Sequence, residues 1–164
     1  MRYLYFLLVL LFHKVAFCQS SEWAYVQAAD KSGDWIAGTY ASGVNNFLGM
    51  RCFKKLGECG VVISSPVKCE ANAKYPMLVN ADTGSYSIEG TCMINGGKYE
   101  QLLSPYDVIS KAIYVDDGVI GIAVPLASGE FRAYRFSLNN AKRAIDEVGR
   151  RFSTSNGSKS TYTF

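Results

Sequence analysis

The sequence predicts an antiparallel β-sandwich, or a small open barrel, with two short helices and a disulfide staple. Three observations point there. Short runs rich in β-branched and aromatic residues recur at roughly the 8–12 residue spacing of sandwich and barrel strands, broken by Gly, Asn and Asp. Four cysteines, Cys52, Cys59, Cys69 and Cys92, follow a leader-like segment. Two stretches near the C-terminus carry apolar residues at helical spacing.

Residues 1–18 read as a secretory signal peptide. Arg2 stands in a short n-region, an apolar run spans Leu4 to Phe12, and Ala16-Phe17-Cys18 forms a small-x-small cleavage site before Gln19. The run is too short to span a bilayer. His13 is the one histidine of the 164 residues, and it lies in this segment. Cleavage would leave no imidazole, which excludes Ser-His-Asp triads, Cys-His dyads and His-ligated metals. Cys18 also invites a lipoprotein reading, but a lipobox wants a small residue before the cysteine and Phe17 is large. Arg2 and Lys14 leave with the signal, so 15 basic residues face 14 acidic ones. That balance calls for neither nucleic acid nor an anionic membrane.

Strands are expected at Trp35 to Tyr40, Phe47 to Phe53, Gly60 to Ser64, Met77 to Val79, Ser85 to Ile88 and Thr91 to Ile94, with Asn95-Gly96-Gly97 as a turn. A later hairpin runs from Val119 to Leu126, turns at Ala127-Ser128-Gly129 and returns from Glu130 to Leu138, with Tyr134, Phe136 and Leu138 on one face. Ser104-Pro105-Tyr106-Asp107 carries a cap residue, a Pro at the first helical position and an acid three after the cap. Val108, Ile109, Ala112 and Ile113 follow at helical spacing. A second helix begins at Asn140 and carries Ala141, Ala144, Ile145 and Val148 at i, i+3, i+4 and i+7, with Gly149 as its stop. The chain therefore divides into a signal at 1–18, one β-rich domain at 19–152 and a flexible polar tail at 153–164. The tail ends in Thr161-Tyr162-Thr163-Phe164, an alternation that the last strand of an outer-membrane barrel also shows. Such a barrel needs about eight long alternating strands in series, and this chain has short ones.

An even cysteine count in an exported domain reads as two disulfides. Cys52–Cys59 and Cys69–Cys92 are the expected pairs. The segment from Cys52 to Cys59 folds naturally as a hairpin that sets its two cysteines opposite each other. Zinc is not expected, because no CxxC exists and no histidine helps. No cofactor is expected either.

Motifs that could carry chemistry are few. Asp82-Thr83-Gly84-Ser85 matches the Asp-Thr-Gly-Ser string of aspartic proteases, and Val119-Ile120-Gly121 resembles their second landmark. That chemistry needs two aspartates sharing a proton, so a homodimer would be required. Asn80-Ala81 stands where such proteases carry a bulky apolar residue, and Asp-Thr-Gly is also good turn chemistry. Ser65-Pro66-Val67-Lys68 matches the Ser-x-x-Lys of penicillin-recognising enzymes, without their Ser-Asp-Asn or Lys-Thr-Gly partners. Asp116-Asp117-Gly118 lacks the alternating oxygen ligands of a calcium loop and reads as a turn. Tyr25, Tyr40, Tyr75, Tyr86 and Tyr99 lie in or beside turns and short strands. They suit either a contact surface or sandwich corners.

Cysteine-bearing short strands, a helical stretch after Cys92, a Gly-linked hairpin and Phe136-Ser137-Leu138 running into Ala144-Ile145 are shared with a known pattern. From about Phe47 to Val148 the chain resembles the small exported bacterial proteins named after invasion-associated locus B. Asn140-Ala141 stands where that family has a Gly-aromatic pair. The resemblance implies a single-domain periplasmic or secreted β-sandwich without enzymatic activity, acting at the envelope or in host-surface interaction. No binding residues transfer with it. The expected function is thus an exported, non-enzymatic protein-binding module with a protein partner and no transmembrane segment in the mature chain. The alternatives are a dimeric aspartic-protease-like hydrolase using Asp82, or an inhibitor or immunity protein of a lytic enzyme in the same compartment.

Overall fold

A computed structural model describes residues 22–28, 32–64, 68–126 and 128–156. The leader with His13 and Cys18, most of the Ser65-Pro66-Val67-Lys68 string, and Tyr162 and Phe164 lie outside them. The strands are β1 (Ala24–Gln27), β2 (Trp35–Tyr40), β3 (Phe47–Phe53), β4 (Glu58–Ser64), β5 (Lys74–Ala81), β6 (Gly84–Asn95), β7 (Lys98–Ser104), β8 (Val119–Pro125) and β9 (Phe131–Ser137). The helices are α1 (Tyr106–Ile113) and α2 (Ala141–Asn156).

All nine strands form one antiparallel sheet in the order β1-β2-β3-β4-β7-β6-β5-β8-β9. The fold is therefore mainly β with two helices, and the small open barrel is the arrangement realised: one curled sheet in place of two stacked ones. The curl brings the ends together without pairing them. Just before β1, the Trp23 amide donates to the Asn139 carbonyl at 3.0 Å. Its indole N–H donates to the Ser137 carbonyl at 2.8 Å.

Alternation along each strand sorts side chains to two faces. The inner face carries Ala37, Leu48, Met50, Cys52, Val61, Ile63, Leu103, Ile88, Met77, Val79, Ile120, Ile122 and Phe136, all buried in one cluster. Helix α1 lies on β4 and β7, and α2 lies on β1, β2 and β3. Ala141, Ala144, Ile145, Val148 and Phe152 carry the apolar stripe of α2 into the same cluster.

Both disulfides pair as expected, Cys52 with Cys59 and Cys69 with Cys92. Cys52 and Cys59 are direct cross-strand partners between β3 and β4. The second bridge pins the β4–β5 connection onto β6, and backbone bonds from the Asn72 amide to the Cys92 carbonyl and from the Cys92 amide to the Ala73 carbonyl reinforce it.

Several boundaries differ from the sequence reading. β1 and β7 are strands that the reading missed. Ser85 to Ile88 and Thr91 to Ile94 are parts of one strand, β6. Gly90 does not break it, because its missing side chain makes room: a Cβ there would collide with Gln101 Oε1 and Met77 Cε. Ser104 does not cap α1. It ends β7, and Pro105 occupies the cap position. Asn140 holds φ at +63°, a left-handed conformation that asparagine tolerates. The free amides at the start of α2 are met by backbone instead: Asn140 donates to the Asp116 carbonyl and Lys142 to the Val115 carbonyl, both at 2.9 Å. The Asp116-Asp117-Gly118 turn thus serves the helix start as well as β8.

Helix α2 does not stop at Gly149, and residues 153–156 of the expected tail are helical. Phe152 follows Val148 by one turn and is 1% exposed. Burying a phenylalanine gains about 1.5–3 kcal/mol, more than the ~1 kcal/mol cost of a helical glycine. The hydroxyls of Ser153, Thr154 and Ser155 then bond back to carbonyls of the preceding turn.

Candidate protein-binding face

The outer face of the sheet has two unlike halves. Over β2, β3, β4 and β7 the protein covers itself. The Phe47 ring lies over Gly38 and Gly49, where side chains would collide with it, and Leu102 lies over Gly60 in the same way. Beside them Arg51 is buried and charged. Its Nε meets Asp34 Oδ2 at 2.9 Å, its Nη1 meets Glu100 Oε2 at 3.0 Å, and its guanidinium stands 5.5 Å from the Phe53 ring centre. Asp34 also accepts from the Lys54 amide at 2.9 Å. The network ties the β1–β2 connection, β3 and β7 together, so this half is structural.

Over β6, β5, β8 and β9 no described residue covers the outer face. In register across the strands, Ser87, Leu78, Ala123 and Ala133 form one row. Ser85, Asn80, Gly121 and Arg135 form the next. Pro76 pairs with Glu89, and Pro125 with Phe131, along the third. Most of these side chains are short, so the surface is flat. Leu78 at 55% exposure and Phe131 at 53% rise from it. The face continues into a shallow groove of about 560 Å³ lined by Lys74, Pro76, Ser87, Ile88, Glu89, Ser104 and Pro105. Lys74 and Glu89 pair there at 2.8 Å. Arg132 and Arg135 on β9 are exposed and form no ion pair among the described residues.

A second groove, of about 400 Å³, lies between β1 and α2 and is lined by Tyr25, Asp116, Lys142, Arg143, Asp146, Glu147 and Arg150. Most of its charges answer one another. The Tyr114 hydroxyl donates to Asp146 Oδ1 at 2.6 Å, and Lys142 Nζ to Asp146 Oδ2 at 2.9 Å. Partial burial works against the Asp146 carboxylate, but the bonds from Tyr114 and Lys142 hold its pKa below the usual value. The same carboxylate raises the pKa of both donors. Arg150 and then Arg151 pull Glu147 down to about 2. Each of these groups keeps its ordinary charge at neutral pH, so none is tuned toward acid–base work. Arg151 itself stacks between Tyr25 and Trp35, at 5.1 and 5.2 Å from their ring centres.

The sequence-predicted residues fall elsewhere. Asp82 and Thr83 form the tip of the β5–β6 hairpin, between the paired Ala81 and Gly84. The Tyr86 hydroxyl donates to the Thr83 carbonyl there. Val119-Ile120-Gly121 lies one strand away in β8, with Gly121 paired to Asn80. The tyrosines do not form one patch: Tyr25 and Tyr40 are exposed on different strands, and Tyr75, Tyr86 and Tyr99 are half-buried. Cys52 and Cys92 are buried in the core, and all four cysteines are in disulfides. Among the described residues no helix is long and apolar enough to cross a membrane, and no three His, Cys, Asp or Glu side chains converge to hold a metal ion.

Leu78 was missed because Leu78-Val79 reads as one apolar run until the pairing of β5 is known, and Phe131, Ala133 and Arg135, opposite the Tyr134-Phe136-Leu138 face, could not be joined to it without the strand order. Val79 then points inward and Leu78 outward. Fold and surface together define a disulfide-linked open β-barrel with one uncovered sheet face. Comparison with family models, curated proteins and solved structures finds no match.

Proposed function

We propose that the chain is an exported, non-enzymatic protein-binding module that acts at the cell envelope or in host-surface interaction. The observation that carries this reading is the face over β6, β5, β8 and β9 that no described residue covers. A four-strand surface of short side chains, with Leu78 and Phe131 exposed on it, matches the apolar centre and polar rim of a protein interface. The two disulfides suit an oxidising compartment, and the resemblance to the invasion-associated locus B proteins points the same way.

The partner protein presents apolar side chains to Leu78 and Phe131 and a carboxylate to Arg135, which forms no ion pair among the described residues. The test is crosslinked capture by the tagged full chain in its native envelope fraction. Leu78→Glu should abolish capture while leaving the melting temperature within about 2 °C, since an exposed substitution costs about 0.5 kcal/mol or less. Leu56→Glu, on the β3–β4 turn at 68% exposure, should leave capture intact. Asp82→Asn should also leave it intact. An acid-optimum proteolytic activity lost on Asp82→Asn, with stability unchanged, would replace this reading with the dimeric hydrolase.

A further inference from the structure

We infer that the partner docks by adding an extended, acidic segment to the free edge of β9. The inference rests on the protein-binding reading and specifies its geometry. Among the described residues β9 is the last strand of the sheet and pairs on one side only, with β8. Trp23 takes the carbonyls of Ser137 and Asn139, so only the far end of the strand is tied down. Along the rest, Phe131, Arg132, Ala133 and Arg135 are all exposed. The other edge, β1, is a poorer template. It has four residues, and Arg151 of α2 stacks on its Tyr25.

An open edge presents unpaired amides and carbonyls, and extended peptides add to such edges through main-chain hydrogen bonds. Here the side chains set the sequence. Arg132 and Arg135 are three residues apart and so point to opposite faces of the strand. An added strand meets both when it carries carboxylates three apart, one on each face. A second copy of this chain fits poorly. Antiparallel pairing of two β9 edges about their centre, Tyr134, sets Arg135 of each copy opposite Ala133 and diagonal to Arg135 of the other copy on the same face, within reach of like-charge repulsion.

The test uses the full chain and a labelled peptide, acetyl-Thr-Glu-Val-Val-Glu-Thr-amide, followed by fluorescence anisotropy and amide hydrogen exchange. Binding should slow exchange across residues 131–136. Arg132→Glu with Arg135→Glu should weaken it at least about tenfold, since each cross-strand charge pair accounts for a few-fold and reversal adds repulsion. A peptide with lysine for glutamate should bind that double variant. N-methylating the peptide at alternate residues should abolish binding in one phase and spare it in the other, because only one edge of the added strand faces β9. No binding, binding unaffected by either N-methyl series, or binding indifferent to the double variant overturns strand addition. So does a dimer of the free protein, seen in sedimentation, that the double variant dissolves. If Leu78→Glu removes the native partner while the peptide never protects β9, the face reading survives and strand addition fails. If the peptide binds as described and Leu78→Glu leaves partner capture unchanged, the face reading fails and the edge alone recruits.

Discussion

Replacing Phe152 by alanine tests the continuation of α2 past its glycine. Phe152 is 1% exposed and belongs to the same cluster as Ile145 and Val148. A buried aromatic side chain removes about 200 Å² from water, worth about 5 kcal/mol at 25 cal/mol/Å² as an upper bound. Measured Phe→Ala substitutions in cores cost about 3–5 kcal/mol, which includes the unfilled cavity. For a domain of this size each kcal/mol shifts the melting temperature by about 2–4 °C, so a drop of about 6–20 °C is expected. The assay is urea unfolding followed by the fluorescence of Trp23 and Trp35. The midpoint should fall while the slope stays constant, because the surface exposed on unfolding hardly changes. Thr154→Ala, an exposed site two residues on, should change stability by about 0.5 kcal/mol or less. A Phe152→Ala cost below about 1 kcal/mol, or one no larger than that of Thr154→Ala, would show that the last turns of α2 do not pack on the barrel.

Mass mapping of the unfolded, unreduced protein should join Cys52 to Cys59 and Cys69 to Cys92. With separations of 7 and 23 residues, loop closure gives about 2.4 and about 3.4 kcal/mol, so removing the second pair of cysteines should destabilise the protein more. Arg51→Ala should cost about 3–5 kcal/mol in the same urea assay, because it strands the Asp34 and Glu100 carboxylates against a buried wall. Glu147 has a folded pKa of about 2, below its ordinary 4.5. Its contribution is therefore present above about pH 4.5 and is lost as the pH falls toward 2. The stability difference between wild type and Glu147→Gln should accordingly shrink between pH 5 and pH 2.5, and a difference constant across that window would show that the Arg150 and Arg151 pairs do not act in solution.

The sequence made the local features legible and left the global ones hidden. The eight-residue Cys52 to Cys59 loop specifies its own hairpin, so that bridge could be read directly. The Asn95-Gly96-Gly97 turn was equally plain: Gly96 and Gly97 take φ of +56° and +78°, as a tight hairpin turn requires. Strands lacking their own pattern were lost. β1 is exposed at all four residues, and β7, Lys98–Ser104, mixes polar and apolar residues whose alternation shows only once Gln101 and Leu103 are seen to be buried. The candidate face was illegible for the same reason. It consists of small residues whose common property is their neighbours, and neighbours are set by β5 pairing with β8 across 40 or so residues of chain. Gly90 and Gly149 misled in the opposite direction, since a glycine that permits close packing looks the same in sequence as one that ends an element.

The strand order has a consequence for the chain as it leaves the ribosome or a translocation channel. β1 to β4 can pair in sequence as they emerge, and β5 to β7 can do the same as a second meander. The two meanders meet through the last strand of the second, since β7 is the neighbour of β4. β5 is then left facing outward until β8 arrives, after α1 has been made. During that interval a strand that will end inside the sheet is an open edge carrying Leu78. The Cys69–Cys92 bridge needs only residues through β6, so it can close while β5 still waits. It anchors the start of β5 to its hairpin partner at the stage when the growing sheet is most open to pairing with a stranger.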